Sequence, residues 1–182
     1  VAGGAGVVIV DHGNISPDTA PVPSLLSTGA IEHRLTADRL RSSTSLVVVA
    51  DDVRDVHHIA TLVGYGADAI CPRLALHTVG AEADSDETSD NVSPEAQFNF
   101  QAACEAGLLK VLSKMGISTI DSYRGAQIFE AVGLDDEVIE LCFGGTTSTI
   151  GGLGWARLGE DVLALHASAW PDDGEPELES PG

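Results

Sequence analysis

Lys110 and Lys114 are the only lysines of the chain and lie four residues apart, the spacing that sets two side chains on one face of a helix. Two neighbouring ammonium groups suit the anchoring of a carboxylate or phosphate. A solvated face, or partners for acids elsewhere in a larger enzyme, is the plainer and favoured reading. Ser122, Tyr123, Arg124 and Gln127 follow at what reads as the start of another helix, where backbone N–H groups and a guanidinium can hold an anion. Arg124 equally suits a buried clamp against a neighbouring domain, and that role is favoured. Lys110, Lys114, Arg124 and Gln127 are therefore the candidate interdomain or anion contacts; no catalytic residue is assigned.

Three other groups attract attention and carry less. His57 and His58 are adjacent, so on a helix they point about 100° apart, unlike the i, i+4 pair that shares one metal ion. No metal site is expected from them. His12, in Asp11-His12-Gly13-Asn14, follows an apolar run at the type of strand end where α/β barrels place chemistry, and Asp11 is placed to orient it. No nucleophile or cofactor motif stands nearby. Gly144 to Gly154 (GGTTSTIGGLG) has the glycine and hydroxyl content of a phosphate cradle, without a P-loop lysine or a GxGxxG after a strand. It reads as a flexible connector packed between domains.

The elements that position these residues follow from punctuation and periodicity. Val7 to Val10 and Leu46 to Ala50 are continuous β-branched runs, the mark of parallel strands buried on both faces. Asp52 is placed to cap a helix from Val53 to Val63, stopped by Gly64 and Gly66, before a strand from Ala67 to Cys71 closed by Pro72. Leu46 to Cys71 is thus a βαβ unit. Leu74 to Asn91 reads as a solvated loop with an acidic crest at Glu82 to Asp90. Ser93 and Pro94 open a long helix reaching Met115 and ended by Gly116. Ile117 to Ile120 reads as a short strand, and Asp121 or Ser122 caps a helix through Ala131, ended by Gly133. Asp135 and Asp136 open one more helix, through Leu141 or Cys142, with acids where the helix dipole favours them. Repeated strand and helix units argue for α/β layers around a parallel sheet.

Composition narrows the partners. At 182 residues with 43% apolar content the chain can build a real core. Its net charge of -19 opposes contact with nucleic acid or anionic membranes, which demand a basic footprint. The opening apolar run, VAGGAGVVIV, stops at Asp11 after ten residues and has no basic flank, so it reads as a buried strand and neither a membrane span nor a signal. Two lysines against 28 acids suit a protein working in high salt, where screening removes self-repulsion. Cys71, Cys104 and Cys142 are odd in number and far apart, as expected of reduced thiols in a cytoplasmic protein. Trp170 to Gly182 is proline, glycine and acid, too poor in apolar surface to order itself. Residues 1–166 are therefore read as domain and 167–182 as linker or disordered tail. The start at Val1, with the sole methionine at Met115, reads as a processed or excised piece.

Four stretches agree in order and spacing with one family: Ala20 to Ala30 (APVPSLLSTGA), Asp55 to Pro72 (DVHHIATLVGYGADAICP), Gly107 to Leu134 (GLLKVLSKMGISTIDSYRGAQIFEAVGL) and Phe143 to Gly154 (FGGTTSTIGGLG). Together they resemble the central domain of the large subunit of glutamate synthase. The resemblance implies the C-terminal part of a partial (β/α) barrel-like domain related to FMN-linked oxidoreductase barrels. It implies a parent enzyme that makes two L-glutamate from L-glutamine, 2-oxoglutarate and reductant, moving ammonia internally to a site where reduced FMN delivers hydride. Where the family usually carries a threonine and an arginine in the last stretch, this chain has Gly144 and Thr149, so contacts of that arginine are absent. The family's catalytic parts are not among these residues: no N-terminal cysteine nucleophile, no three close cysteines for the iron–sulfur cluster, and the FMN barrel would follow. The expected role is a scaffold and ammonia-path wall between the amidotransferase and FMN domains, with no cofactor of its own. Rival readings are an autonomous flavin-binding half-barrel oxidoreductase and a stand-alone assembly module. The electron donor is decided outside these residues.

Overall fold

The computed structural model describes residues 3–82, 92–171 and 176. The first three strands, β1 (Val7–Asp11), β2 (Ser45–Ala50) and β3 (Ala69–Pro72), form one parallel sheet in the order β1-β2-β3. Val7 pairs with Ser45 and Val47 with Ala69. Between them run α1 (Ser24–Ala37), a 3-10 turn at Arg41–Ser43, and α2 (Val56–Gly64). Then come α3 (Arg73–Glu82), the long α4 (Pro94–Met115) and the single turn α5 (Ile120–Tyr123). A second parallel pair, β4 (Glu130–Leu134) and β5 (Thr147–Leu153), encloses α6 (Asp136–Cys142) and leads into α7 (Trp155–Ala169). The class is α/β with parallel strands, and among the described residues these strands close no barrel.

The βαβ unit is as expected, with one correction at its helix. Asp55, not Asp52, caps α2, its carboxylate accepting the His58 N–H at 3.0 Å, and the helix begins at Val56. Asp52 is used elsewhere: it accepts the Ser24 N–H at 2.8 Å, capping α1, whose own N-cap residue, Pro23, supplies no side-chain acceptor. Val53 is thereby left to bury its side chain with Val48, Ala50, Leu62 and Ala67. The long helix also matches expectation. Ser93 caps it through the Ala96 N–H, and Gly116 ends it at φ +70°, a left-handed turn that costs glycine little. Asp135 caps α6 as the acid pair implied.

Five expectations are corrected. β1 and β2 are not buried on both faces: burial alternates along each, and Val7 and Ile9 project from the uncovered face. The stretch after Leu74 is not all loop, because α3 runs to Glu82 and packs on α4, with Gln97 donating to the Leu76 carbonyl at 3.1 Å. The acidic crest beyond it lies outside the described residues, as does nearly all of the acidic tail. Ile117 to Ile120 is no strand; Ile117 packs on a core cluster and Thr119 caps α5. The helix expected through Ala131 stops after one turn, since Gly125 and Gln127 both take left-handed backbone, at φ +63° and +52°. The next apolar residues therefore form β4. Lastly, Gly144 to Gly154 is not a connector: most of it is β5, paired with β4 across two register shifts. No helix among the described residues is long and apolar enough to cross a membrane.

Candidate functional site

A cavity of about 250 Å³ opens where four segments meet: the outer face of α1, the C-terminal end of α2, the Tyr123 to Phe129 loop and the turn after α6. Glycines set how closely these segments approach. A side chain at Gly29 of α1 would collide with the Cys142 carbonyl oxygen, one at Gly64 with the Phe129 ring, one at Gly66 with Glu32, and one at Gly144 with the His33 imidazole. Aromatic rings fill the seam. Tyr65 lies edge-on to Phe143 at 4.9 Å and stacks on Phe129 at 5.8 Å, and Tyr123 meets Phe129 edge-on at 6.3 Å. The Tyr65 hydroxyl shares a 2.8 Å hydrogen bond with Thr146.

Charge at the rim is matched internally. Arg41 binds Glu32 through Nε, the Thr44 and Gly66 carbonyls at 2.6 and 2.8 Å, and Asp68 at 2.9 Å. Burial opposes the Arg41 charge, but Glu32 and Asp68 outweigh it and raise the pKa. The second Asp68 oxygen takes Arg124 Nη2 at 2.7 Å. Asp68 also accepts the Leu46 N–H at 2.7 Å, so the start of β2, the start of β3 and the α5 loop are tied at one carboxylate. Two guanidiniums and two carboxylates leave this rim near neutrality. Tyr123 is fully buried, its hydroxyl has no partner among the described residues, and burial pushes the phenol pKa up.

The four candidate residues do not converge. Arg124 and Gln127 line the cavity, Arg124 engaged with Asp68. Lys110 and Lys114 stand on the exposed outer face of α4, with no ion pair among the described residues. His12 is buried and fully used: its Nδ1 accepts the Asp51 N–H at 3.3 Å, which leaves Nε2–H to donate to the Val22 carbonyl at 3.0 Å. Asp11 does not orient it, accepting instead from Gly13 and pairing with Arg73. Among the described residues no three potential metal-ligating side chains cluster. Glu32, Arg41 and Asp68 carry no motif that marks them in the sequence; only folding brings them together.

What these elements define is an α/β domain whose parallel strands and helices lock through glycine contacts. The family model described as glutamate synthase central domain matches residues 1–135, and the chain belongs to that family. It is 42% identical over 167 residues to the glutamate synthase (NADH) of Schizosaccharomyces pombe, covering 91% of this chain and 8% of that protein. It is 43% identical over 176 residues to the ferredoxin-dependent glutamate synthase of Pyropia yezoensis, covering 91% and 11%. To the glutamate synthase (NADPH) large chain of Bacillus subtilis it is 40% identical over 179 residues, covering 98% and 12%. The chain thus spans about a tenth of the length of these relatives.

Proposed function

We propose that these residues are the structural link of a glutamate synthase, an enzyme that converts L-glutamine, 2-oxoglutarate and reductant to two L-glutamate. Within it they hold the amidotransferase and FMN domains in register and wall part of the ammonia path. The observation that carries this is the interlock around the cavity. All four stretches that resemble the family meet there through glycine and aromatic contacts, and the charges at its rim are spent on one another. Its aromatic walls suit an ammonia path, since a wall that keeps out bulk water keeps ammonia from being protonated or lost.

The fold relation to (β/α) barrels belongs to the same proposal. Parallel strands are normally covered on both faces, and the face of β1 bearing Val7 and Ile9 is uncovered here; further βα units of the enzyme would complete it. Residues 1–166 act as the domain, with α7 carrying it on to Ala169, and the residues that follow act as the linker. Lys110 and Lys114 are assigned as contacts to a flanking domain, since they are the cations left exposed on α4. Arg124 and Gln127 are assigned to the seam itself.

This chain's three cysteines do not fit the family's iron–sulfur cluster. Cys104 is buried against α2, Cys142 under α1, and Cys71 lies on β3, with all three free and no metal-ligating cluster among the described residues, so they cannot share an iron–sulfur cluster. The glycine-rich stretch that resembled a phosphate cradle pairs its backbone with β4. No step is therefore assigned to FMN or to a cluster on this chain. Titrating the 182-residue chain with FMN and following flavin fluorescence tests the assignment. Unchanged fluorescence is the expected result, and saturable quenching with glutamate formed from 2-oxoglutarate, ammonia and dithionite would establish an autonomous enzyme instead.

A further inference from the structure

The cavity beside the Tyr123 to Phe129 loop has rim charges that cancel, yet several of its hydrogen-bonding atoms stay unused among the described residues. Tyr123 and Arg124 both line it. The Tyr123 hydroxyl and Arg124 Nε are buried without a partner. Arg124 spends Nη2 on Asp68 at 2.7 Å, whereas Nη1 stands 3.9 Å from the exposed Asp121, too far for a hydrogen bond. Burial raises the Tyr123 pKa, so the phenol keeps its proton and can donate. Glu32, also in the lining, gives Oε2 to Arg41, and its Oε1 has a weak 3.5 Å contact with the Thr36 hydroxyl. Buried polar atoms are nearly always paired, so donors left over beside a cavity call for a ligand or for water.

Size, charge and lining define what fits. At about 250 Å³ the cavity is smaller than the roughly 300 Å³ at which pockets for drug-sized ligands begin, so a nucleotide or flavin is too large. Unused donors on Tyr123 and Arg124 suit a carboxylate, and the open Glu32 oxygen suits an ammonium group. Arg41 and Arg124 balance Glu32 and Asp68, so the rim favours an occupant without net charge over a free anion or cation. Phe129 and Phe143 give it an aromatic wall. We propose that this cavity binds a small α-amino acid with an uncharged side chain. Its carboxylate meets Arg124 and the Tyr123 hydroxyl, its ammonium group meets Glu32, and its side chain lies against Phe129 and Phe143. Because the two buried donors are shielded from solvent, the ligand reaches them through a small movement of the loop. Gly125, with open space around it, leaves room for that movement. The proposal stands on this cavity and goes beyond the link reading without requiring it.

Thermal melts of the 182-residue chain test it, with L-leucine, L-methionine and L-glutamine as probes at up to about 20 mM. A saturable rise in melting temperature with at least one of them is expected, larger for the L than for the D enantiomer. Tyr123→Phe should weaken that binding at least about tenfold, the scale of one hydrogen bond to a charged group. The same variant should melt no lower than wild type without ligand, because it removes a buried hydroxyl that has no partner among the described residues. Acetate and methylammonium, each carrying one half of the zwitterion, should give no comparable rise. A response to acetate equal to that of the amino acids would make the cavity a plain anion site and overturn the proposal. So would the lack of a saturable response to any of the three probes, which would leave the cavity to water, and so would unchanged binding in Tyr123→Phe. Coupling of glutamine hydrolysis to glutamate formation in the longer enzyme reads the link function separately, so either can fail alone.

Discussion

Gly29 shows how much a single atom decides. It faces the Cys142 carbonyl oxygen across the α1–α6 contact, so a methyl group there meets fixed backbone and not a side chain that can swing away. Gly29→Ala is expected to lose roughly 1–3 kcal/mol of stability, the usual scale of overpacking, measured by urea denaturation. Gly159→Ala is the contrast, because nothing lies within 4 Å of that position on α7. Asp55 offers a pH signature at the same scale. The His58 N–H holds its carboxyl below the ordinary carboxylate range, so the folded pKa is depressed relative to the unfolded one. Its stabilisation is complete above the unfolded value of about 3.9 and is lost as pH falls through the folded value. Asp55→Ala should cost about 1 kcal/mol at neutral pH, and the gap from wild type should narrow in melts taken below about pH 4.

At the scale of elements, what was legible was whatever a local signal controls. Ser93 with Pro94, Gly116, and the Asp135–Asp136 pair announce α4 and α6 because caps and terminators act within one turn. The βαβ unit was legible from its apolar runs. The failures share a cause: tertiary partners outvoted local pattern. Asp52 looks like the cap of the helix just after it and instead caps α1 from 28 residues away. Ser122 to Ala131 has helical composition, yet the backbone turns left-handed at Gly125 and Gln127 so that Phe129 can reach Gly64 and Tyr123. β5 was hidden because glycine and threonine are ambiguous until β4 lies beside them. The site was legible only in part: Arg124 and Gln127 were singled out, whereas Glu32, Arg41 and Asp68 are 9 to 36 residues apart and join only on folding. The loop's conformation can be checked at Gln127. Gln127→Gly should remain within about 1 kcal/mol of wild type, while the β-branched Gln127→Val should cost about 1–2 kcal/mol at a φ of +52°, as read from thermal melts.

The whole molecule combines an interlocked centre with uncovered margins and a heavy negative charge. At -19 over 182 residues, self-repulsion opposes compaction and salt should relieve it. The melting temperature is expected to rise steadily between about 0.1 and 2 M salt, and a flat dependence would remove the high-salt reading of the composition. The central claim concerns coupling, and Arg124 is the place to break it, because its bond to Asp68 ties the loop beside the cavity to the first sheet. In the longer enzyme bearing Arg124→Ala, the ratio of glutamine hydrolysed to glutamate formed would be measured against wild type. A link that holds two active domains in register predicts a raised ratio, with glutamine hydrolysis and ammonia-dependent glutamate synthesis each retained. Loss of one half-reaction outright, with the fold intact, would contradict it and make Arg124 part of the chemistry.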